Sequence, residues 1–311
     1  MLDKTYENKY FFVVNPSAGD SEAELEWINI LEVINKNSLD FDYTIIKFNG
    51  HTEKIVSEQI KNGHRNFIVV GGDGTLNEVI NAVCKQNEVS TKEISLGIIQ
   101  MGKNNDWAKY YGFDKDYQKA IDRFKQKNTK LQDVGLVRYK DEDKIKDAYF
   151  LNVAGMCLDG AVVKATNEMK VRGKRSWFHF MFNLIKRIIN YKPWYLKIQI
   201  NDEVIEGKIL SINIGNGKYS GGGMQQTPDA IIDDGWLDVT IYENMSKFKM
   251  AVNIKKLYDG TLGKANEVKM YKTKKFSIES EQEIVGETDG ETISSTTYDI
   301  SIIPSAVKVF V

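Results

Sequence analysis

The sequence predicts an α/β N-terminal domain, a parallel sheet with helices on both faces, followed by a β-rich antiparallel C-terminal domain. Three observations carry this. A chain of 311 residues is long for one core and comfortable for two. Over about the first 130 residues, short apolar runs alternate with amphipathic helical stretches, as parallel strands joined by crossover helices require. Beyond that, segments of period-two alternation follow one another across short turns, which is the pattern of antiparallel strands. The first domain is assigned residues 1–133 with a returning strand at 300–311, and the second residues 134–299.

YFFVVN (10–15) reads as a buried strand, and a helix is expected over 21–36. FDYTIIKF (41–48) is a strand, after which Thr52 is expected to N-cap a helix that Gly63 ends, with Ile55, Val56 and Ile60 on one face. NFIVV (66–70) leads straight into Gly71-Gly72-Asp73-Gly74-Thr75 and a helix from Leu76. SLGIIQMG (95–102) repeats the pattern. In the second half LQDVGLVRY, AYFLNVAGM, WYLKIQIN, EVIEGKILSINIGNG, GWLDVTIYE, VKMYKTKKFSIES and TTYDISIIP read as strands separated by turns such as Asn201-Asp202. Helical stretches are expected near 160–191 and 246–258, and the last strand, AVKVFV, is apolar enough to return to the first domain.

Forty-two basic residues against forty-three acidic ones leave the chain nearly neutral, which argues against general nucleic-acid binding. Cys84 and Cys157 lack metal-ligand spacing, and none of the three histidines pairs with another, so a zinc site is not expected. Two unpaired thiols suit a reducing cytoplasmic compartment. The opening MLDKTYENKY has no signal-peptide character, and no apolar run reaches the ~18 residues of a spanning helix.

The glycine segment carries the chemistry. Phosphate needs backbone N–H donors at close range, and glycine removes the Cβ that would block them. Setting those donors between a strand and a helix N-terminus adds the favourable end of the helix dipole. Thr75 is expected as N-cap, with Glu78 completing a capping box. A carboxylate at Asp73 is repelled by phosphate unless a cation bridges them or it takes a proton from a nucleophile, and phosphoryl transfer uses both functions. The segment is also compatible with a tight turn in which Asp73 bonds its own backbone. Neither a Walker A loop nor a GxGxxG fingerprint fits.

GGDGTLNEV after a strand resembles the nucleotide loop of the diacylglycerol kinase-like lipid kinases, which include sphingosine and ceramide kinases. Four further segments match in order. Asn15-Pro16-Ser17-Ala18-Gly19 resembles the family's NPxSG loop, and LGIIQMGKNNDWA (96–108) resembles LGIIPxGTxNDFA. IGNGKYSGGGMQQTPDA (214–230) resembles NGxxxGGGxxxxPxA and runs on into Asp233-Asp234-Gly235-Trp236-Leu237-Asp238; Asp289-Gly290-Glu291 resembles the family's DGE. The resemblance covers nearly the whole chain and marks a divergent, bacterial-type member.

It implies two domains enclosing a cleft where ATP with Mg²⁺ meets a lipid hydroxyl. It implies nucleotide binding by Asn15, Pro16, Ser17, Gly71, Gly72, Gly74, Thr75, Gly102, Lys103 and Asn105, and Mg²⁺ at Asp234 and Trp236. The Asp233-Asp234-Gly235 segment equally suits a solvated hairpin, and Asp289-Gly290 a turn between strands. Glu291 is implied as general base, with Asp73 the other candidate. Three departures stand out. The family's proline is Gln100, its Thr-Gly pair is Lys103-Asn104, and a glycine of VAGxGxD is Cys157, with Asp159 kept.

Residues 176–192, SWFHFMFNLIKRIINYK, have helical period with a narrow polar stripe of His179, Asn183, Lys186, Arg187 and Asn190. So wide an apolar arc needs cover from protein or lipid. Residues 164–197 hold nine basic residues and one acid, so the stretch reads either as a core helix with solvated flanks or as a docking helix at an anionic membrane surface. The expected function is an ATP-dependent lipid kinase acting on a diacylglycerol, sphingoid-base or phosphatidylglycerol type of hydroxyl. Expected partners are ATP and lipid, with no nucleic acid; a homodimer is left open, and the location is cytoplasmic with peripheral membrane contact. The alternatives are a kinase of a soluble acceptor, as NAD kinases are, and a catalytically silent nucleotide or lipid binder.

Overall fold

The computed structural model describes residues 8–19, 22–48, 50–102, 105–171, 190–246, 256–261 and 267–311, with the single positions 6, 186 and 249. Lys103-Asn104, and all of the 176–192 helix except Lys186 and residues 190–192, lie outside the described residues. The chain divides into two compact units, Met1–Val134 with Pro304–Val311, and Gly135–Ile303.

The first unit runs β1 (Tyr10–Val14), α1 (Glu22–Lys36), β2 (Phe41–Ile45), α2 (His51–Asn62), β3 (Asn66–Gly71), α3 (Asp73–Lys85), β4 (Ser95–Gln100), α4 (Asp106–Tyr110) and α5 (Tyr117–Gln126). β1 pairs in parallel with β2 and β3, and β3 with β4, giving the order β4-β3-β1-β2. Lys308 and Val309 near the chain's end add in parallel beside β4. β1 is buried at every position, the mark of a strand covered on both faces. Tyr10, Phe12 and Val14 join Ile68, Val70 and Ile99 in one core with Trp27, Ile30 and Ile34 of α1 and Ile121 and Phe124 of α5. Phe11, Val13, Phe67 and Val69 alternate onto the other face and are equally buried. The inward residues of α2 and α3, among them Val56, Ile60, Val79 and Val83, are buried too. Each such side chain contributes about 1.5–3 kcal/mol.

Two helix starts differ from expectation. α2 begins behind Gly50, whose φ of 81° needs no Cβ, so Thr52 lies buried inside the first turn instead of capping it; Gly63 ends the helix at φ 112°. α3 begins at Asp73 with Gly72 as N-cap, which has no side chain to make a cap bond; the Leu76 N–H donates to Gly72 O at 3.1 Å as the first helical bond. Thr75 is therefore inside the helix, and the expected Thr75–Glu78 capping box does not form.

The second unit takes up β5 (Thr129–Asp141), β6 (Lys144–Phe150), β7 (Val153–Cys157), α6 (Leu158–Val171), β8 (Trp194–Ile200), β9 (Glu203–Gly215), β10 (Leu237–Glu243), β11 (Val268–Thr273), β12 (Lys275–Thr288) and β13 (Glu291–Phe310). Its pairings are antiparallel: β5 with β6, β7 and β8 each with β9 and β12, β10 with β9 and β11, and β12 with β13. Asn201, at φ 51°, makes the tight β8–β9 turn. The stretch AYFLNVAGM, read from its pattern as one strand, is two. β6 stops at Phe150 and β7 starts at Val153, because the intervening N–H groups turn to the carboxylate of Asp289.

Candidate active site

In the first unit, three loops leave the carboxyl ends of the neighbouring strands β1, β3 and β4, where open parallel sheets bind ligands. They are bonded to one another. Asn15 N–H donates to Val70 O at 3.0 Å, and Met101 N–H to Gly71 O at 2.8 Å. The Asn15 amide donates to Thr75 Oγ1 at 2.8 Å, while its oxygen accepts the Ser17 N–H at 3.0 Å and so shapes the turn through Pro16. A Cβ on Gly71 would meet Thr75 Oγ1 at 2.9 Å, so this glycine serves packing. Gly72 and Gly74, at the head of α3, have open space where a Cβ would be. Gly102 sits at φ 83°, and a Cβ there would come 3.3 Å from Gly19 Cα, which brings the first and third loops side by side.

Asp73 is held, not loose. Its Oδ2 accepts the Asp106 N–H at 2.8 Å and its Oδ1 the Trp107 N–H at 3.4 Å, at the head of α4. Asn105 N-caps that helix by accepting the Ala108 N–H at 2.6 Å. Its amide nitrogen is buried without a partner among the described residues, a donor left for something else. Of the nucleotide residues expected from sequence, only Lys103 lies outside the described residues; the others belong to these three loops and the first turn of α3.

In the second unit, Asp289 and Gly290 form the two-residue turn between β12 and β13, with φ of 46° and 93°. The Asp289 carboxylate accepts the N–H groups of Leu151, Asn152 and Val153 at 2.7, 3.1 and 3.0 Å. Asn216 in turn donates its N–H to Asn152 O at 3.0 Å and its amide to Leu151 O at 2.8 Å. Gly217 lies against Asn152 so closely that a Cβ would fall 2.0 Å from Oδ1. The DGE turn, the break between β6 and β7 and the NG loop are thus one bonded assembly, and it presents Glu291, exposed, as the first residue of β13. Asp234 stands in another loop, where Oδ1 accepts the Trp236 N–H at 3.0 Å and Oδ2 pairs with Lys272 at 2.7 Å.

Comparison with known proteins gives the family. Residues 9–137 match the diacylglycerol kinase catalytic domain, and residues 152–311 match the YegS C-terminal NAD kinase beta sandwich-like domain. The chain belongs to the diacylglycerol kinase-like lipid kinase family. A Bacillus subtilis relative, named "Putative lipid kinase YtlR", is 25% identical over 96% of this chain and 98% of its own length. A Staphylococcus carnosus relative, named "Putative lipid kinase", is 29% identical over 78% of this chain and 75% of its own. A crystal structure titled as a putative diacylglycerol kinase from Bacillus anthracis shares the fold, with a TM-score of 0.77 and 24% identity over 97% of this chain and 95% of that one.

Two departures from the lipid kinase pattern now have a physical reading. Cys157, where the family has glycine, sits at φ 68°, a conformation that explains the glycine and strains the cysteine. Gln100, where the family has proline, donates to Phe113 O at 2.9 Å, a bond proline cannot make.

The nearness of two acids, Asp159 and Glu287, escaped sequence reasoning. Burial holds the Glu287 carboxyl well above the usual glutamate range, with the nearby Asp159 adding to the effect, while Gly290 N–H donates to it at 2.7 Å. Burial likewise pushes Asp159 up to about 6. The available signal was a charged residue inside the otherwise tight VGETDG strand end. Among the described residues, no cluster of three or more acidic, histidine or cysteine side chains is arranged to hold a metal.

Proposed function

We propose that this chain is an ATP-dependent lipid kinase, transferring the γ-phosphate of ATP to the hydroxyl of a lipid of diacylglycerol, sphingoid-base or phosphatidylglycerol type. The observation that carries the reading is the trio of bonded loops after β1, β3 and β4, with open space at Gly72 and Gly74 and a spare buried donor on Asn105. Backbone N–H groups at the head of a thirteen-residue helix are suited to phosphate.

Asp73 already accepts two N–H groups of α4, which favours a positioning role for it. Glu291 is then the better general base: it takes the proton of the lipid hydroxyl as the oxygen attacks the γ-phosphorus and ADP leaves. Asp234, with the main chain of Trp236, are the residues that would hold Mg²⁺, a hard cation that takes oxygen ligands. Bound, it would neutralise phosphate charge; Lys272 competes for the same carboxylate oxygen. The basic, apolar 176–192 segment is the proposed contact with an anionic bilayer, and Lys186→Glu/Arg187→Glu should weaken pelleting with anionic liposomes.

The deciding experiment is ADP release from Mg-ATP across a panel of lipids in mixed micelles. Lipid-dependent release that falls by orders of magnitude in Glu291→Gln is the expected result. Release that depends on a soluble hydroxyl compound and not on lipid would turn the reading to a soluble acceptor. ATP binding without release for any acceptor would leave a silent binder.

A further inference from the structure

The loops read as taking a polyphosphate hold a carboxylate at Asp73, and their own lysine, Lys103, lies outside the described residues. A further positive charge reaches them from outside. The Lys115 ammonium donates to Gly102 O at 2.6 Å, on the loop that lies against Gly19. It has no ion-pair partner among the described residues; its neighbour Asp114 is taken by Lys119 at 2.6 Å. One of its three N–H groups is used, and two remain.

The position of Lys115 is built, not incidental. Gln100, at the end of β4, donates to Phe113 O, two residues before Lys115. The Phe113 ring lies between Tyr111, stacked with centroids 5.0 Å apart, and the Arg123 guanidinium at 3.8 Å. Its N–H donates to Ala108 O at 2.9 Å. The segment after α4 is therefore fastened to the end of β4 at the place where the family's proline offers no donor.

We infer that Lys115 is a phosphate-binding residue of the nucleotide site, and that Gln100 is the positioning residue that sets it there through Phe113. The inference rests on the nucleotide reading above and adds to it an ammonium group that meets the phosphate charge. An ammonium beside the phosphates gives a charge-assisted contact that an alkyl chain cannot.

The test is calorimetric binding of Mg-ATP and of adenosine to the full chain and to Lys115→Met, Lys115→Arg and Gln100→Leu. Lys115 is exposed, so its replacement leaves folding alone. Lys115→Met should weaken Mg-ATP about tenfold and adenosine less than about twofold, with Lys115→Arg close to the unaltered chain. Gln100→Leu should shift Mg-ATP in the same direction by less, and add little to Lys115→Met, as residues acting through one contact do. Unchanged Mg-ATP affinity in Lys115→Met, or equal weakening of adenosine, would overturn the inference while the nucleotide reading stood. A chain that binds no Mg-ATP even unaltered would overturn both.

Discussion

Cys157 occupies a left-handed backbone conformation, φ 68°, while its side chain is fully buried in the core of the second unit. A β-carbon there costs about 1 kcal/mol relative to glycine, and the thiol recovers part of that by packing. The two contributions separate in a pair of variants. Cys157→Ala keeps the strain and loses the sulfur; Cys157→Gly loses both. Cys157→Gly is therefore expected to be the more stable of the two by about 1 kcal/mol in urea unfolding, against the usual order of alanine over glycine. Asp159, two residues on, gives a pH signature. Burial raises its carboxyl to about 6, above the ordinary aspartate value, so the folded chain binds this proton more tightly than the unfolded one. Its contribution to stability is present below about pH 4 and is lost as pH rises through about 6. Asp159→Asn should then stabilise the chain by about 1–2 kcal/mol near pH 8 and give no gain near pH 4, in thermal melts at the two pH values.

At the scale of elements, α3 and its glycines separate packing from ligand approach. Gly71 is fixed by Thr75, whereas Gly72 and Gly74 meet nothing where a side chain would begin. Gly72→Ala and Gly74→Ala are therefore expected to leave the melting temperature within about 2 °C and to lower Mg-ATP affinity at least tenfold, since the new methyl fills space needed by phosphate. Gly71→Ala should instead lower stability by about 1–3 kcal/mol through overpacking. The sequence made the elements themselves legible wherever an apolar run or a left-handed glycine marked them: β1, β3, β4 and the end of α2 at Gly63. The starts of α2 and α3 were not legible, because a threonine looks the same whether it caps a helix or lies inside its first turn. Only the tertiary partner tells them apart, and for Thr75 that partner, Asn15, is sixty residues away. The break between β6 and β7 was hidden for the same reason: its cause, Asp289, lies more than 130 residues downstream. The loops that the motifs mark are ones the structure bonds to one another, whereas Lys115 carries no local mark that distinguishes it from any exposed lysine.

The chain as a whole is not two domains strung in series. It leaves the first unit at Val134, builds the second, and comes back at Pro304, so the first unit is completed by the last residues of the chain. The consequence is energetic. Val307, Val309 and Phe310 are buried, and the Phe310 ring lies 5.9 Å from that of Tyr10 and 5.6 Å from that of Phe124, joining β1 to α5. Phe310→Ala is expected to cost about 3–5 kcal/mol, as for an interior aromatic. The loss should fall first on the first unit: hydrogen exchange should quicken in β1, β3 and α5 before it does in β8, β9 and β12. The loops proposed to bind nucleotide hang from the ends of β1, β3 and β4, so Mg-ATP should restore part of the lost protection in Phe310→Ala through binding to the folded form. A Phe310→Ala chain with undiminished stability would mean that the returning strand rides on the first unit without holding it together.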